Sequence, residues 1–306
     1  MEPIKNRSEF LFIYDVKDAN PNGDPLDENK PRTDEETGQV IVTDVRLKRT
    51  IRDWLATVKG LEIFIKETRD ENGDLRTKED RMADFENDPE RILEECIDMR
   101  LFGATTAVKG KTITWIGPVQ FKFGRSLHRV DGPVLVRGTT VMPSREGARQ
   151  GTFREEWIVP YALIAFHGVA NEYAARTMKL TEEDLRLMME AMWKGTKDLI
   201  TRSKFGQMPR LLMRLLYREG TDFYIGELDR LVKWTPKDGL REEEVRDVTQ
   251  GVLEVGNLLE AIGKYQEKIE RVEIAVHERL ETEPDIVSAL KEKLKNERVL
   301  VLEELV

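Results

Sequence analysis

The chain has 306 residues, 35% charged and 40% apolar, with a net charge of −9, which fits a globular protein of one large domain or a core domain with sizeable insertions. No run approaches the roughly 18 consecutive apolar residues of a membrane span, and the first residues lack the apolar stretch of a secretory signal. Cys96 is the single cysteine, which excludes an intramolecular disulfide and reads as a buried thiol in a cytoplasmic protein.

The first predicted element is a buried strand over Glu9 to Lys17 (EFLFIYDVK), rich in aromatic and β-branched residues. A long loop follows (ANPNGDPLDENKPRTDEETGQ), dense in Pro, Gly, Asn and Asp. Thr43 or Asp44 caps a helix running to about Lys59. Helical spacing puts Leu47, Ile51, Trp54 and Val58 on its inner face and Arg46, Lys48, Arg49 and Arg52 mostly on the outer one.

Residues 60–110 are mixed and acidic, with helices around Pro89–Arg100 and a turn-rich connector at LFGATTAVKGK. A strand is predicted over Thr112 to Gly124, where Val119, Phe121 and Phe123 alternate with Gln120 and Lys122. A second strand, Trp157 to His167, is nearly all apolar and so buried on both faces. The basic, Gly-rich stretch between them reads as a protruding hairpin. Thr181 and Asp184 form a capping box ahead of a helix. A basic loop, TRSKFGQM, then leads into the strand PRLLMRLLY. The order reduces to βαββαβ, the ferredoxin-like arrangement shared by RNA-recognition domains. Residues 240–306 read as two acidic helical segments divided at Glu283-Pro284.

Charge is unevenly spread along these elements. Residues 1–99 carry 16 basic against 26 acidic side chains, residues 100–218 carry 20 against 10, and residues 240–306 carry 10 against 17. A basic block between acidic flanks suits a nucleic-acid surface, and a merely uneven solvated surface is the plainer alternative.

Signatures of catalysis are sparse. There is no phosphate-binding GxxxxGK[ST] loop, no GxGxxG and no HExxH. The three histidines, His128, His167 and His277, lie far apart, so no zinc site is expected, and His167 reads as a satisfied core or edge histidine. Only the first loop could hold a metal, through Asp24, Asp27, Glu28, Asp34, Glu35 and Glu36, although Asp and Asn are ordinary turn formers. Binding is better supported. Cations supply sequence-independent affinity for phosphates, and Phe123, His128, Val141, Met142 and Phe153 among them could stack on or wedge between bases. The usual aromatic signature of RNA-recognition motifs is absent.

Read together, FLFIYDVKDANPNGDP, NKPRTD, VTDVRLKRTIRDWL, DMRLFGA, GPVQFKFGRSLHRV, TFREEWIVPYALIAFHGVANE and ITRSKFGQMPRLLMR resemble the backbone subunits of type I CRISPR surveillance complexes, in the RAMP superfamily. The resemblance spans roughly residues 8–235 and is nearest the type I-B branch, with type I-C as a near relative. It implies an α+β protein shaped like a hand. An RRM-like palm would comprise residues 1–59, 111–128 and 157–239, with a finger insertion at 60–110, a thumb hairpin at 129–156 and a helical C-terminal extension at 240–306.

It further implies a non-catalytic subunit, without cofactor, that polymerises with copies of itself along a guide RNA (crRNA). Guide bases would stay exposed for pairing with target DNA, alongside other subunits of the complex and with no membrane contact. By position, Arg46 and Arg49, with Lys48 or Arg52, resemble phosphate contacts. Asn20, Asn22 and Gly23 fall in a guide-facing loop, and Arg125, Ser126 and Arg129 at the thumb base. Arg137, Val141, Met142 and Phe153 belong to the thumb, with Met142 or Val141 as the wedge; Arg202, Ser203, Lys204 and Gly206 resemble a backbone-binding loop. The alternative is a metal-dependent RNase of the same superfamily, cutting through Asp24 or Asp34 in the first loop.

Overall fold

The computed structural model describes residues 2–108, 111–139 and 153–306. The chain opens with β1 (Ser8–Ala19). In the long loop lie the two-residue strands β2 (Gly23–Asp24), β3 (Lys30–Pro31) and β4 (Thr33–Asp34), before β5 (Gln39–Val42) and α1 (Asp44–Lys59). An insertion follows, with α2 (Lys78–Ala83), α3 (Pro89–Glu95), α4 (Ile97–Phe102) and the hairpin of β6 (Gly103–Val108) and β7 (Lys111–Ile116). Next come β8 (Val119–Phe121), β9 (Gly124–Ser126), β10 (Val134–Thr139) and the long β11 (Phe153–Ala170). Then follow α5 (Glu172–Met178), α6 (Glu182–Lys197) and β12 (Gln207–Tyr217). The chain ends with β13 (Lys233–Pro236), β14 (Gly251–Glu254), α7 (Gly256–Lys264), β15 (Ile269–Val276), β16 (Thr282–Glu283), α8 (Ile286–Leu294) and β17 (Val299–Val301).

One large mixed sheet, mostly antiparallel, organises the molecule in the order β17-β15-β12-β1-β11-β9-β5-β4, with β8 and β10 also paired to β11. β1 sits at its centre, antiparallel to β11 from Ser8↔Ala170 to Ala19↔Val159 and to β12 on its other side. Its apolar run is nearly continuous because both of its faces are buried. Phe10, Phe12, Tyr14 and Val16 join Leu47, Ile51 and Trp54 of α1 and Met188, Met192 and Trp193 of α6 in one core. Leu11 and Ile13 join Trp234, Leu258, Leu259, Ile262 and Leu290 in a second core on the opposite face. Each large apolar side chain buried this way contributes about 1.5–3 kcal/mol relative to exposure. A third, small cluster around Phe64, Phe85, Ile92, Met99 and Trp115 packs within the insertion, with Cys96 buried and its thiol pushed up to about 12 by burial.

Buried ion pairs fasten the insertion to the sheet's helices. Asp98, fully buried, accepts from Phe64 N (2.7 Å), Ile65 N (3.1 Å) and Arg52 Nε (2.8 Å). Arg100 grips Asp184 through two hydrogen bonds of 3.0 and 2.8 Å. Asp184 is also the third residue of α6, where it closes the capping box with Thr181 expected from the sequence.

Four expectations are corrected. Residues 240–306 are not two helices: β14, β15, β16 and β17 alternate with α7 and α8. β12 presents an apolar strand edge, and β15 pairs along it from Leu211↔Val276 to Tyr217↔Ile269, so tertiary pairing overrides the helical reading of this segment. Instead of a turn-rich connector, residues 103–108 form β6, whose Thr105 and Thr106 suit a strand. Lys48 and Arg52 do not line the outer face of α1. Lys48 is buried between Asp44 (2.9 Å) and Gln120 (3.1 Å), Arg52 is bound to Asp98, and Val58 is exposed. Finally, Phe123 does not continue the inward alternation of Val119 and Phe121; it is exposed, because β8 ends at Phe121.

Candidate nucleic-acid interface

Two loops meet beside the N-terminus of α1. Lys17 N donates to Gly206 O (3.0 Å) and Asn20 N to Ser203 O (2.8 Å), zipping the end of β1 to the loop before β12. Asn20 Nδ2 donates to Asn29 O (2.6 Å), folding the first loop back on itself. Gly206 holds a φ of +111°, and a Cβ there would collide with the Lys17 carbonyl oxygen, so the close approach requires glycine. Asn22 Oδ1 accepts from Thr43 N (2.8 Å) and Thr43 Oγ1 (2.9 Å). Thr43 is the N-cap of α1, but its hydroxyl is turned to Asn22 and makes no side-chain cap, so the positive end of α1 keeps open donors.

Two half-buried cations stand at this junction. Arg46 Nη2 donates to Thr50 Oγ1 (2.9 Å), and burial lowers its pKa, with Arg49 adding to the effect. Lys204 Nζ donates to Asn20 O (2.5 Å). Burial, and then the charge of Arg46, push the Lys204 ammonium down to about 8. Among the described residues neither cation has a carboxylate within ion-pair distance. Asn20 Oδ1 and Arg32 Nε, both buried, also lack a partner among the described residues. Two desolvated like charges beside an open helix N-terminus are unfavourable alone and are relieved by an anion.

The other residues singled out in the sequence are placed as follows. Arg49 is bound to Asp53 (2.6 and 2.8 Å) on the exposed side of α1. Gly23 lies in β2, packed against Asn29. Arg125 is exposed and bound to Asp34 (2.9 Å), and Ser126 is buried, donating to His128 O (2.7 Å). Arg129 N donates to Glu242 Oε2 (2.6 Å). Arg137, on β10, meets Glu155 of β11 (2.8 Å), where the two strands pair antiparallel from Val134↔Ile158 to Thr139↔Phe153. Val141, Met142 and the side chain of Phe153 lie outside the described residues. Arg202 makes two 2.9 Å hydrogen bonds to Glu156, and Lys30 lies 5.2 Å from the ring centre of Trp157, so both loops are tied to the start of β11. His128 is not available to bases: it is buried, stacked on Tyr161 at 5.7 Å, and accepts from Leu163 N (3.3 Å). His167 is buried against Glu9 at 2.9 Å, a satisfied core histidine.

The structure thus brings together Asn20, Asn22, Arg46, Ser203, Lys204 and Gly206. It separates from them Lys48 and Ser126, which are buried, and Arg52, which is held by Asp98. Bases cannot stack on the face of the sheet opposite α1 and α6, because residues of β13, β14, α7 and α8 cover it. Phe205 was not singled out from the sequence. It is 65% exposed between Lys204 and Gly206, and its signal was an aromatic residue set inside a basic, glycine-containing loop. Asp24 is held by Arg32 (2.8 Å) and Leu26 N (3.0 Å), and Asp34 by Arg125, which lowers its pKa. Among the described residues no three His, Cys, Asp or Glu side chains gather to hold a metal ion.

The fold and the site define an α+β sheet protein with a cation-lined recess beside a helix N-terminus. The sequence pattern of the family described as "CRISPR-associated protein Cas7" matches residues 6–255, and the chain belongs to that family. A "CRISPR-associated protein Cas7" of Haloferax volcanii is 32% identical, over 90% of this chain and 88% of its own. A chain of a solved "CRISPR RNA-guided surveillance complex, pre-nicking" superposes with a TM-score of 0.51 at 11% identity, covering 90% of this chain and 95% of its own. Among the described residues no helix is long and apolar enough to cross a membrane.

Proposed function

We propose that this protein is a non-catalytic, crRNA-binding backbone subunit of a type I CRISPR surveillance complex, present in several copies along the guide. The single observation that carries the reading is the Arg46–Lys204 recess, which offers two desolvated cations and open helix donors to a phosphodiester. Family membership supports it, as does the name of the structurally similar chain's complex.

Within this reading β1, α1, β8 with β9, β11, α6 and β12 are an RRM-like palm, and their order β12-β1-β11-β9 supports that assignment. Residues 60–110 serve as finger and 129–156 as thumb. The recess holds the guide by its backbone, leaving bases free to pair with target DNA. Asp24 and Asp34, each spent on a local arginine, favour binding over metal-dependent cleavage of RNA.

The test is RNA affinity against salt, recorded with particle mass on RNAs of increasing length. Affinity should fall steeply with salt, hold across sequences, and yield particles that add copies as the RNA lengthens. A fixed one-to-one complex at every length, with the neighbouring subunits supplied, would reject the backbone role.

A further inference from the structure

The loop ahead of β12 presents an aromatic ring where a bound nucleotide would need one. Phe205 is 65% exposed, and an exposed Phe forgoes most of the stabilisation its burial would bring. The backbone holding it is nonetheless fixed. Phe205 N and Lys204 N donate to Thr201 O (2.8 and 3.1 Å), Ser203 O accepts from Asn20 N, and Gly206 O accepts from Lys17 N. Gln207 Nε2 adds a bond to Lys204 O (3.2 Å). A ring held out in water on a rigid loop is preorganised for a partner and loses little freedom on binding it.

Its neighbours indicate the partner. Lys204 turns into the recess toward Asn20, and the next residue carries its ring outward. Adjacent Cα atoms lie about 3.8 Å apart, so a nucleotide whose phosphate occupies the recess keeps its base within reach of that ring. Phe123, another exposed aromatic, lies beside cations already paired to carboxylates: Lys122 with Asp229 and Arg125 with Asp34. Phe205 instead directly follows Lys204, which has no carboxylate partner among the described residues, although Arg202 earlier in the loop is paired with Glu156.

Resting on the crRNA-binding reading above, we propose that Phe205 is a stacking platform for one base of the bound RNA strand, beside the phosphate held by Arg46 and Lys204. Stacking is tolerant of sequence because every base has a π-face. Each copy therefore clamps one nucleotide of the guide by phosphate and ring together, without reading its identity.

The experiment uses a short RNA that holds one copy of the full chain, with 2-aminopurine placed at successive positions, and a long RNA for assembly. Wild-type protein should quench the probe at one position. Phe205→Ala should remove that quenching and weaken binding about 5- to 150-fold, leaving the salt slope and the melting temperature unchanged. Phe205→Trp should restore both. Wild-type affinity and quenching in Phe205→Ala would overturn the proposal. So would intact single-copy binding with lost assembly on long RNA, which would assign the ring to a contact between copies. Salt-sensitive RNA binding that ignores Phe205 defeats this inference alone, whereas wild-type protein that binds no RNA defeats the functional reading beneath it.

Discussion

Replacing Arg46 and Lys204 together by alanine should weaken RNA binding by at least about 10²-fold at low salt, since each charge-assisted hydrogen bond is worth about 1.5–3 kcal/mol. The slope of log K against log salt should flatten by about 0.7, the contribution of one phosphate of a single strand. Loss must be uniform across sequences, because phosphate contacts carry no base information. Lys204 also imposes a pH dependence of definite sign. Its ammonium sits at about 8 in the free protein, and a phosphate beside it raises that value, so binding takes up a proton. Affinity is therefore flat below about pH 8 and falls as pH rises above it. Lys204→Gln should remove that fall. Unchanged affinity and slope in the double variant, measured by fluorescence anisotropy across salt, would take the recess out of the interface.

The second large effect is on stability. Asp98→Ala should cost about 3–5 kcal/mol, because it leaves Arg52 as an uncompensated buried charge and orphans the backbone N–H groups of Phe64 and Ile65. In a chain of this size that is a fall in Tm on the order of 10 °C. The consequence reaches the site, since Arg52 is less than two turns along α1 from Arg46 and its pair with Asp98 anchors that helix to the insertion. A loss under about 1 kcal/mol in denaturant unfolding would show that water or repacking satisfies these groups.

The elements that build the centre of the sheet were legible because each carries a strong local pattern. β1 is a nearly continuous apolar and aromatic run, α1 has a clear period, and α6 announces itself by its capping box. The C-terminal region was misread because its signal is not local. β15 is a strand through its pairing with β12, and that edge lies more than fifty residues earlier in the chain. The cations of α1 show the same limit. Periodicity separates two faces, but it does not show that the insertion folds back to bury Arg52 on Asp98, or that Gln120 reaches Lys48. At the site, Asn20, Arg46, Lys204 and Gly206 were named from the chain, yet their junction depends on backbone hydrogen bonds between loops some 180 residues apart. Phe205 was passed over because an aromatic residue in a basic, glycine-containing loop does not by itself show that its ring is exposed.

The most direct measurement of the recess is amine footprinting of Lys204. At pH 8 an ammonium with a pKa of about 8 is half deprotonated and reacts readily with an acetylating reagent. The protein is labelled with and without RNA, and acetylation at each lysine is quantified by mass spectrometry. Lys204 should react in the free protein and be strongly protected by RNA, with Lys237 and Lys291, outside the recess, unaffected. Equal labelling of Lys204 in both states, under conditions where RNA is bound, would contradict the placement of the RNA backbone between Arg46 and Lys204.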